Sequence, residues 1–248
     1  MGADDTGTVQ VRHDGEIAVV TLQRERKRNA LSTHMETELL AAIDSDDVRG
    51  SGAVVITGGE QVFSAGADVT ELREMTPAAI ADYYRTSGAV YERFAELPVP
   101  TVAAITGYCL GGGLELALAA DFRIADADAD FGFPEVGIGI LPSSGGISRL
   151  VRDAGPARAR DLILRRRRFT AEQAERWGLI TEIALPGRQL TRALEIAREV
   201  LDAPALALSI TTQVIDAAAE SSHRTALVLE RLAYAALNRT EQDLNQQP

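Results

Sequence analysis

Apolar positions recur along this chain with two periods, and the changes between them mark out its elements. Residues 9–12 and 17–22 alternate around Asp14-Gly15, which predicts two strands joined by a tight turn. Met35, Leu39 and Ile43 recur at helical spacing, and Thr33 and Glu36 have the spacing of a capping box at the start of that helix. Gly50 to Gly52 breaks the chain. The unbroken apolar run Val54-Val55-Ile56-Thr57 then predicts a short buried strand, ended by Gly58-Gly59. Thr76-Pro77 pairs a cap with a proline at the first helical position. Behind it, Ile80, Tyr83, Tyr84, Val90, Tyr91, Phe94 and Leu97 predict one long helix, stopped by Pro98.

Residues 101–105 read as another buried strand, followed by a glycine-crowded turn and an apolar helix. Residues 122–125 and 131–133 are further short strands. Gly139 to Gly146 is a second glycine-rich passage, leading to helices over 147–152 and from Pro156. Thr170 and Gln173 cap a helix that ends at Trp177-Gly178. Strand signals vanish after Pro186-Gly187, and helices over 190–201, 204–219 and 225–237 take over. The ends, 1–8 and 238–248, are polar and expected to fray. Strand and helix alternating through residue 133 predict an α/β fold with parallel strands in crossover units. The division expected is a core over 1–186 and a helical region over 187–248.

Composition narrows the function. The 248 residues are 46% hydrophobic, enough for a sizeable core without disulfides. The single cysteine, Cys109, excludes an intrachain pair and suits a reducing compartment. With no apolar leader and no membrane-length apolar run, the expected location is the cytoplasm. A formal net charge of -11 argues against nucleic acid as a partner. The histidines His13, His34 and His223 are scattered, in no metal-ligand spacing, so no metal is expected.

The chemistry concentrates in residues 101–121. Gly111-Gly112-Gly113 opens a turn that a ligand can approach closely, and the helix behind it carries one carboxylate, Glu115, among apolar neighbours. A buried carboxylate is costly unless paired or used. A second small-residue corner lies at Gly66-Ala67. If the two corners face each other, two backbone N–H groups converge on one oxygen as an oxyanion hole; otherwise the glycines only permit tight turns. Glu135, in Phe133-Pro134-Glu135-Val136-Gly137, is the second carboxylate of interest, unless it simply faces solvent in a loop. Two carboxylates beside such a hole suit proton management next to a carbonyl. A dinucleotide site fits poorly, because Gly111-Gly112-Gly113 lacks the fingerprint spacing.

The chain resembles the enoyl-CoA hydratase/isomerase (crotonase) family from about residue 9 to 182. The motifs that carry the resemblance are Lys27-Arg28-Asn29-Ala30-Leu31, Phe63-Ser64-Ala65-Gly66-Ala67-Asp68 and residues 107–117. They continue with Asp121 to Ala125, Phe131 to Glu135, Gly139, Pro142, Gly145-Gly146 and residues 171–179. The resemblance implies a crotonase-like spiral of ββα units, a C-terminal helical trimerisation region, and a homotrimer or homohexamer. It implies an acyl-CoA thioester substrate and no separate cofactor, coenzyme A being part of the substrate. It places the thioester oxygen on the N–H groups of Ala67 and Gly112 and assigns catalysis to Glu115 and Glu135. Arg24, Arg26, Lys27, Ala65, Gly66 and Asp68 fall to CoA binding.

The activity implied is addition of water to a 2-enoyl-CoA to give a 3-hydroxyacyl-CoA. Double-bond isomerisation or a specialised dehydration on the same fold is the first alternative, and a non-enzymatic binding protein the second. The acyl pocket is expected to use Leu72, Tyr83, Tyr84, Ile138 and Leu141. Two departures stand out. Glu25 occupies a position where the family usually has proline. The family's closing segment is not recognisable after Asn238, which implies either a more open site or a shortened chain.

Overall fold

The computed structural model describes residues 6–244. The strands are β1 (Thr8–Asp14), β2 (Ile17–Gln23), β3 (Ala53–Thr57), β4 (Thr101–Ile105), β5 (Tyr108–Leu110), β6 (Phe122–Asp126), β7 (Asp130–Gly132), β8 (Phe169–Thr170) and β9 (Glu182–Ala184). The helices are α1 (Thr33–Asp44), α2 (Asp46–Arg49), α3 (Val69–Glu74), α4 (Pro77–Tyr83), α5 (Val90–Ala95), α6 (Gly112–Leu118), α7 (Gly146–Leu164), α8 (Ala171–Arg176), α9 (Gln189–Leu201), α10 (Ala205–Glu220) and α11 (His223–Leu244).

Six strands form one sheet in the order β1-β2-β3-β4-β6-β9, in which only β1 is antiparallel to its neighbour. A small second sheet has the order β5-β7-β8. Two strands followed by a helix recur as β1-β2-α1, β4-β5-α6 and β6-β7-α7. In the unit begun by β3 the second strand shrinks to a single bridge, Ser64 to Cys109. The chain is therefore a stack of strand–strand–helix units, with helices α9 to α11 closing the C-terminal end.

Parallel strands are covered on both faces, and β3 and β4 are buried at every position. Val54, Ile56, Ala103 and Ile105 point into the main core with Met35, Leu39, Ile43 and Phe94. Val55, Val102 and Ala104 point the other way, onto Ala193, Ile196 and Ala197 of α9. Helix α9 thus completes the sheet's second face, immediately after residue 186. Thr101 and Asp121 exchange three hydrogen bonds of 2.7–2.9 Å, tying the start of β4 to the segment that follows α6.

Several elements differ from the pattern-based expectation. Thr33 and Glu36 do not form a capping box. Ser32 caps α1 by accepting from the Met35 N–H, and Glu36 turns inward. Glu36 precedes Leu39 by three positions and Ile43 by seven, so it belongs to the buried face. The single helix expected up to Pro98 is divided into α4, a tight turn over Ser87–Ala89, and α5. At the break Gly88 packs against Tyr83, where a side chain would collide with the ring and carbonyl of Tyr83. The short strands β5, β8 and β9 carried no separate apolar run. Thr8 already lies in β1, and α11 runs past residue 238 to Leu244; residues 1–5 and 245–248 lie outside the described residues.

Asn29 anchors the loop after β2. It is fully buried with φ at 51°, donates from Nδ2 to the Gly58 and Val62 carbonyls at 2.8 Å each, and accepts from the Arg24 N–H at 2.7 Å. Asn29→Ala is expected to destabilise the fold by about 2–4 kcal/mol in chemical denaturation, because three buried polar groups lose their partner. Asn29→Gly, which relieves the left-handed φ but restores no bond, should be no better than a partial rescue. Full stability of N29A, or complete rescue by glycine, would show that these bonds do not hold the loop.

Candidate active site

The geometry begins with strand direction. β3 and β4 are parallel neighbours, so the loops that leave their C-terminal ends emerge side by side, where open parallel sheets bind ligands. The two loops are then hydrogen-bonded to each other. The Phe63 N–H donates to the Thr106 carbonyl at 2.7 Å, the Ser64 N–H to Tyr108 at 2.9 Å, and the Leu110 N–H back to Ser64 at 3.0 Å. This places the corner at Gly66-Ala67 against the corner at Gly111-Gly112. A Cβ on Gly112 would stand 3.5 Å from the Ala67 nitrogen, and one on Gly66 would stand 3.4 Å from the Gly112 nitrogen.

Both corners need glycine. Gly66 has φ at 94°, and a side chain there would lie 2.7 Å from the Leu110 carbonyl. Gly111 adopts φ 49° and ψ −125°, closed to residues with a Cβ, and that Cβ would lie 2.7 Å from Glu135 Oε1. The Gly112 N–H opens α6, so it has no partner within the helix. Neither it nor the Ala67 N–H is committed to another acceptor among the described residues.

The two carboxylates sit on the same cavity, which has a volume of about 520 Å³. Glu115, in the first turn of α6, is 4% exposed, and its Oε1 accepts from the Ser144 and Gly146 N–H groups at 2.8 and 3.0 Å. Glu135 opens the tight turn Glu135–Ile138 after β7, and both of its carboxylate oxygens are buried without a partner. Burial pushes the Glu135 carboxyl up to about 7, with the charge of Glu115 adding to the shift. Burial also raises Glu115, but the Ser144 and Gly146 N–H groups and the Arg149 charge oppose it. The environment therefore separates a carboxyl that keeps its proton longer, Glu135, from one whose anion is hydrogen-bonded, Glu115. Among the described residues no cationic side chain lines the cavity, so peptide N–H groups supply the positive potential at its wall, and Arg149 acts on Glu115 from outside it.

The expected pocket residues Leu72, Tyr83, Tyr84, Ile138 and Leu141 all line this cavity, joined by Val69, Met75, Ile80 and Tyr91. Tyr84 hydrogen-bonds Ser143 across it, linking α4 to the loop that holds Glu115. Ala65 and Gly66 also lie on its wall. Arg24 and Asp68 instead form a shielded ion pair of 2.9 Å, and Arg24 also donates to the Ala30 carbonyl at 3.0 Å. Against the upward push of burial, Arg24 holds the Asp68 carboxyl below its usual range. Asp68 also caps α3 through the Thr70 N–H, so this pair braces the Ala67 loop. Arg26 and Lys27 lie exposed on the adjoining tight turn Glu25–Lys27.

Residues 165–168 are a run of four arginines at the surface. Arg165 and Arg167 pair with Asp161, and Arg168 with Asp130. Sequence reasoning missed the Ser144 and Gly146 donors, because backbone N–H groups leave no residue-type signal. It also missed Tyr91 and Glu36, although the helical spacing of Glu36 to Leu39 and Ile43 was available.

The sequence model of the enoyl-CoA hydratase/isomerase family matches residues 12–243. A Mycobacterium tuberculosis protein named "Probable enoyl-CoA hydratase echA8" is 38% identical over 237 residues, covering 94% of this chain and 91% of its own. The crystal structure of an enoyl-CoA hydratase from Bacillus anthracis superposes with a TM-score of 0.88 at 31% identity, covering 96% of this chain and 93% of that one. A Thermobifida fusca structure solved in complex with CoA has a TM-score of 0.89 at 26% identity, covering 96% and 95%.

The raised Glu135 carboxyl has a consequence for stability. A carboxyl whose folded pKa lies above its unfolded value of 4.5 makes the fold lose stability as pH rises from about 4.5 through about 7. Glu135→Gln removes that loss. In chemical denaturation E135Q is expected to match the wild type near pH 4 and to exceed it at pH 8 by up to about 3 kcal/mol. A difference between the two that does not vary with pH would refute the assignment.

Proposed function

The chain belongs to the enoyl-CoA hydratase/isomerase family and is an enoyl-CoA hydratase, and we propose that Ala67, Gly112, Glu115 and Glu135 carry its chemistry. The observation that supports this most is the meeting, on one buried cavity, of two uncommitted peptide donors and two carboxyls with unlike environments.

The thioester oxygen of a trans-2-enoyl-CoA sits between the Ala67 and Gly112 N–H groups. Glu115 and Glu135 hold one water. The water oxygen bonds to C3 while Glu115 takes a water proton. The C2–C3 π electrons move toward the thioester as an enolate, whose charge the two donors stabilise. Glu135 gives its proton to C2, leaving a 3-hydroxyacyl-CoA, and proton exchange resets the two carboxyls. The high pKa of Glu135 suits the acid, and the hydrogen-bonded anion of Glu115 suits the base. The Thermobifida fusca complex supports CoA as the carrier. In this reading Ala65 and Gly66 contact the ligand, Arg26 and Lys27 face its phosphates, and Arg24 with Asp68 shapes the loop between them.

Helices α10 and α11 expose Leu206, Ile215, Val228, Leu232 and Tyr234, more apolar surface than two surface helices need. We infer that this layer packs against further copies as a homotrimer or homohexamer, and sedimentation should give a mass of three or six chains, a monomer refuting it. Among the described residues no single helix is long and apolar enough to cross a membrane. The sole cysteine, Cys109, is free and buried, so the fold uses no intrachain disulfide, which supports a cytoplasmic setting.

With crotonyl-CoA, Glu115→Gln and Glu135→Gln are each expected to lower kcat by roughly 10²- to 10⁴-fold, the range of general acid–base catalysis. Wild-type kcat/KM should decline above about pH 7 as Glu135 loses its proton. In isotopically labelled water the product should carry solvent oxygen at C3. An unchanged rate in either variant would remove its assigned role, and a product without solvent oxygen would point to isomerisation instead.

A further inference from the structure

A third carboxyl group, Glu36, adjoins the cavity and takes no part in the hydration steps. It lies on the inward face of α1, 1% exposed, and its Oε1 accepts from both the Tyr83 and Tyr91 hydroxyls at 2.7 Å. Its Oε2 is buried without a partner, and Glu36 has no ion pair among the described residues. Both tyrosines line the same cavity as Glu115 and Glu135. Tyr91 goes further. A Cβ on Gly112 would stand 2.9 Å from its hydroxyl oxygen, so that hydroxyl is packed against the residue whose N–H serves as an oxyanion donor.

These contacts join four helices at one point. Glu36 comes from α1, Tyr83 from α4 and Tyr91 from α5, and Tyr91 abuts the first residue of α6. In one continuous helix residues 83 and 91 would lie about 12 Å apart along the axis. The break between α4 and α5 brings both hydroxyls to a single oxygen. A leucine at position 36 would join Met35, Leu39 and Ile43 in the core without the cost of burying a carboxyl. Burial pushes Glu36 up to about 7, against the pull of its two tyrosine bonds, and burial also raises both phenols, which therefore stay protonated donors.

We propose that Glu36 is a positioning residue: by accepting from both hydroxyls it seats Tyr91 against the Gly112 corner and Tyr83 on the acyl wall, holding the oxyanion donor and the acyl group in fixed relation. This rests on the hydratase reading, since it assigns Glu36 a part in placing that reaction's groups. Small displacements of reacting groups carry large rate penalties, so such a residue acts on kcat rather than on substrate affinity.

The test compares Glu36→Leu, Glu36→Gln and Tyr91→Phe with the wild type on crotonyl-CoA and on longer 2-enoyl-CoA esters, with folding followed by circular dichroism. E36L should lose at least about tenfold in kcat with KM changed less than about threefold. E36Q, which keeps an acceptor oxygen, should recover most of that loss, and Y91F should reproduce it. Wild-type kcat in E36L, a change confined to KM, or a loss in E36Q equal to that in E36L would each overturn the proposal. If E36L does not fold, Y91F decides, and an undiminished kcat there overturns it. A wild type that hydrates none of these esters would overturn the hydratase reading and this inference together, whereas an active wild type with unaltered variants overturns this inference alone.

Discussion

Two loops that leave adjacent parallel strands are stitched together by backbone hydrogen bonds, and the rest of the site depends on that seam. Ser64 both donates to Tyr108 and accepts from Leu110, and its hydroxyl donates to the Asn29 carbonyl at 2.7 Å. The β2, β3 and β4 connections are thereby locked into one body. A peptide N–H has no side chain with which to adjust its aim, so two of them can serve one oxygen only if the backbones that carry them are rigid relative to each other. Bonds from residues 62–64 and 106–110 supply that rigidity. The small residues at 65–67 and 111–113 remove the bulk that would keep the two backbones apart.

The electrostatics follow from the same enclosure. Among the described residues no cationic side chain stands on the cavity wall, so the carboxyls there meet peptide donors and the cavity's own polar groups. Glu115 takes two of those donors, whereas Glu135 has none for either oxygen. At Glu115 the donors of the loop at 144–146 and the charge of Arg149 oppose burial, whereas at Glu135 the charge of Glu115 adds to it. Glu36 belongs to the same system one layer behind. Burial raises its carboxyl as it raises that of Glu135, but it is reached by two phenols instead of by the cavity. The Arg24–Asp68 pair shows the opposite solution: a charge kept charged by a partner 2.9 Å away, spent on the shape of a loop.

Local pattern carried much of the architecture. The alternation around Asp14-Gly15 became the β1–β2 hairpin, the apolar runs at 54–57 and 101–105 became the two central strands, and Thr170 with Gln173 formed the capping box expected of them. It failed where a long-range contact overrode a local preference. Glu36 has capping-box spacing from Thr33, but two tyrosines from another part of the chain draw it inward and leave the cap to Ser32. The periodic run from 80 to 97 reads as one helix, yet the chain breaks over Ser87–Ala89, where Gly88 packs against Tyr83. Strands of two or three residues, such as β8 and β9, are too short to show a period of their own and exist because a neighbour offers an edge.

By itself the sequence determined which residue types were available for the chemistry. It supplied two glutamates among apolar neighbours, glycines where backbones had to touch, and enough alternating strand and helix for a parallel sheet. These are properties of single residues and short periods, which local sterics and hydrophobicity express directly. Only the tertiary structure decided which glutamate is hydrogen-bonded and which is bare, that Arg24 braces Asp68, and that a third acid stands behind the Gly112 corner. Each of those depends on groups far apart in the chain coming within about 3 Å of one another, and a hydrogen bond falls off so steeply with distance and angle that nothing short of the folded coordinates determines it.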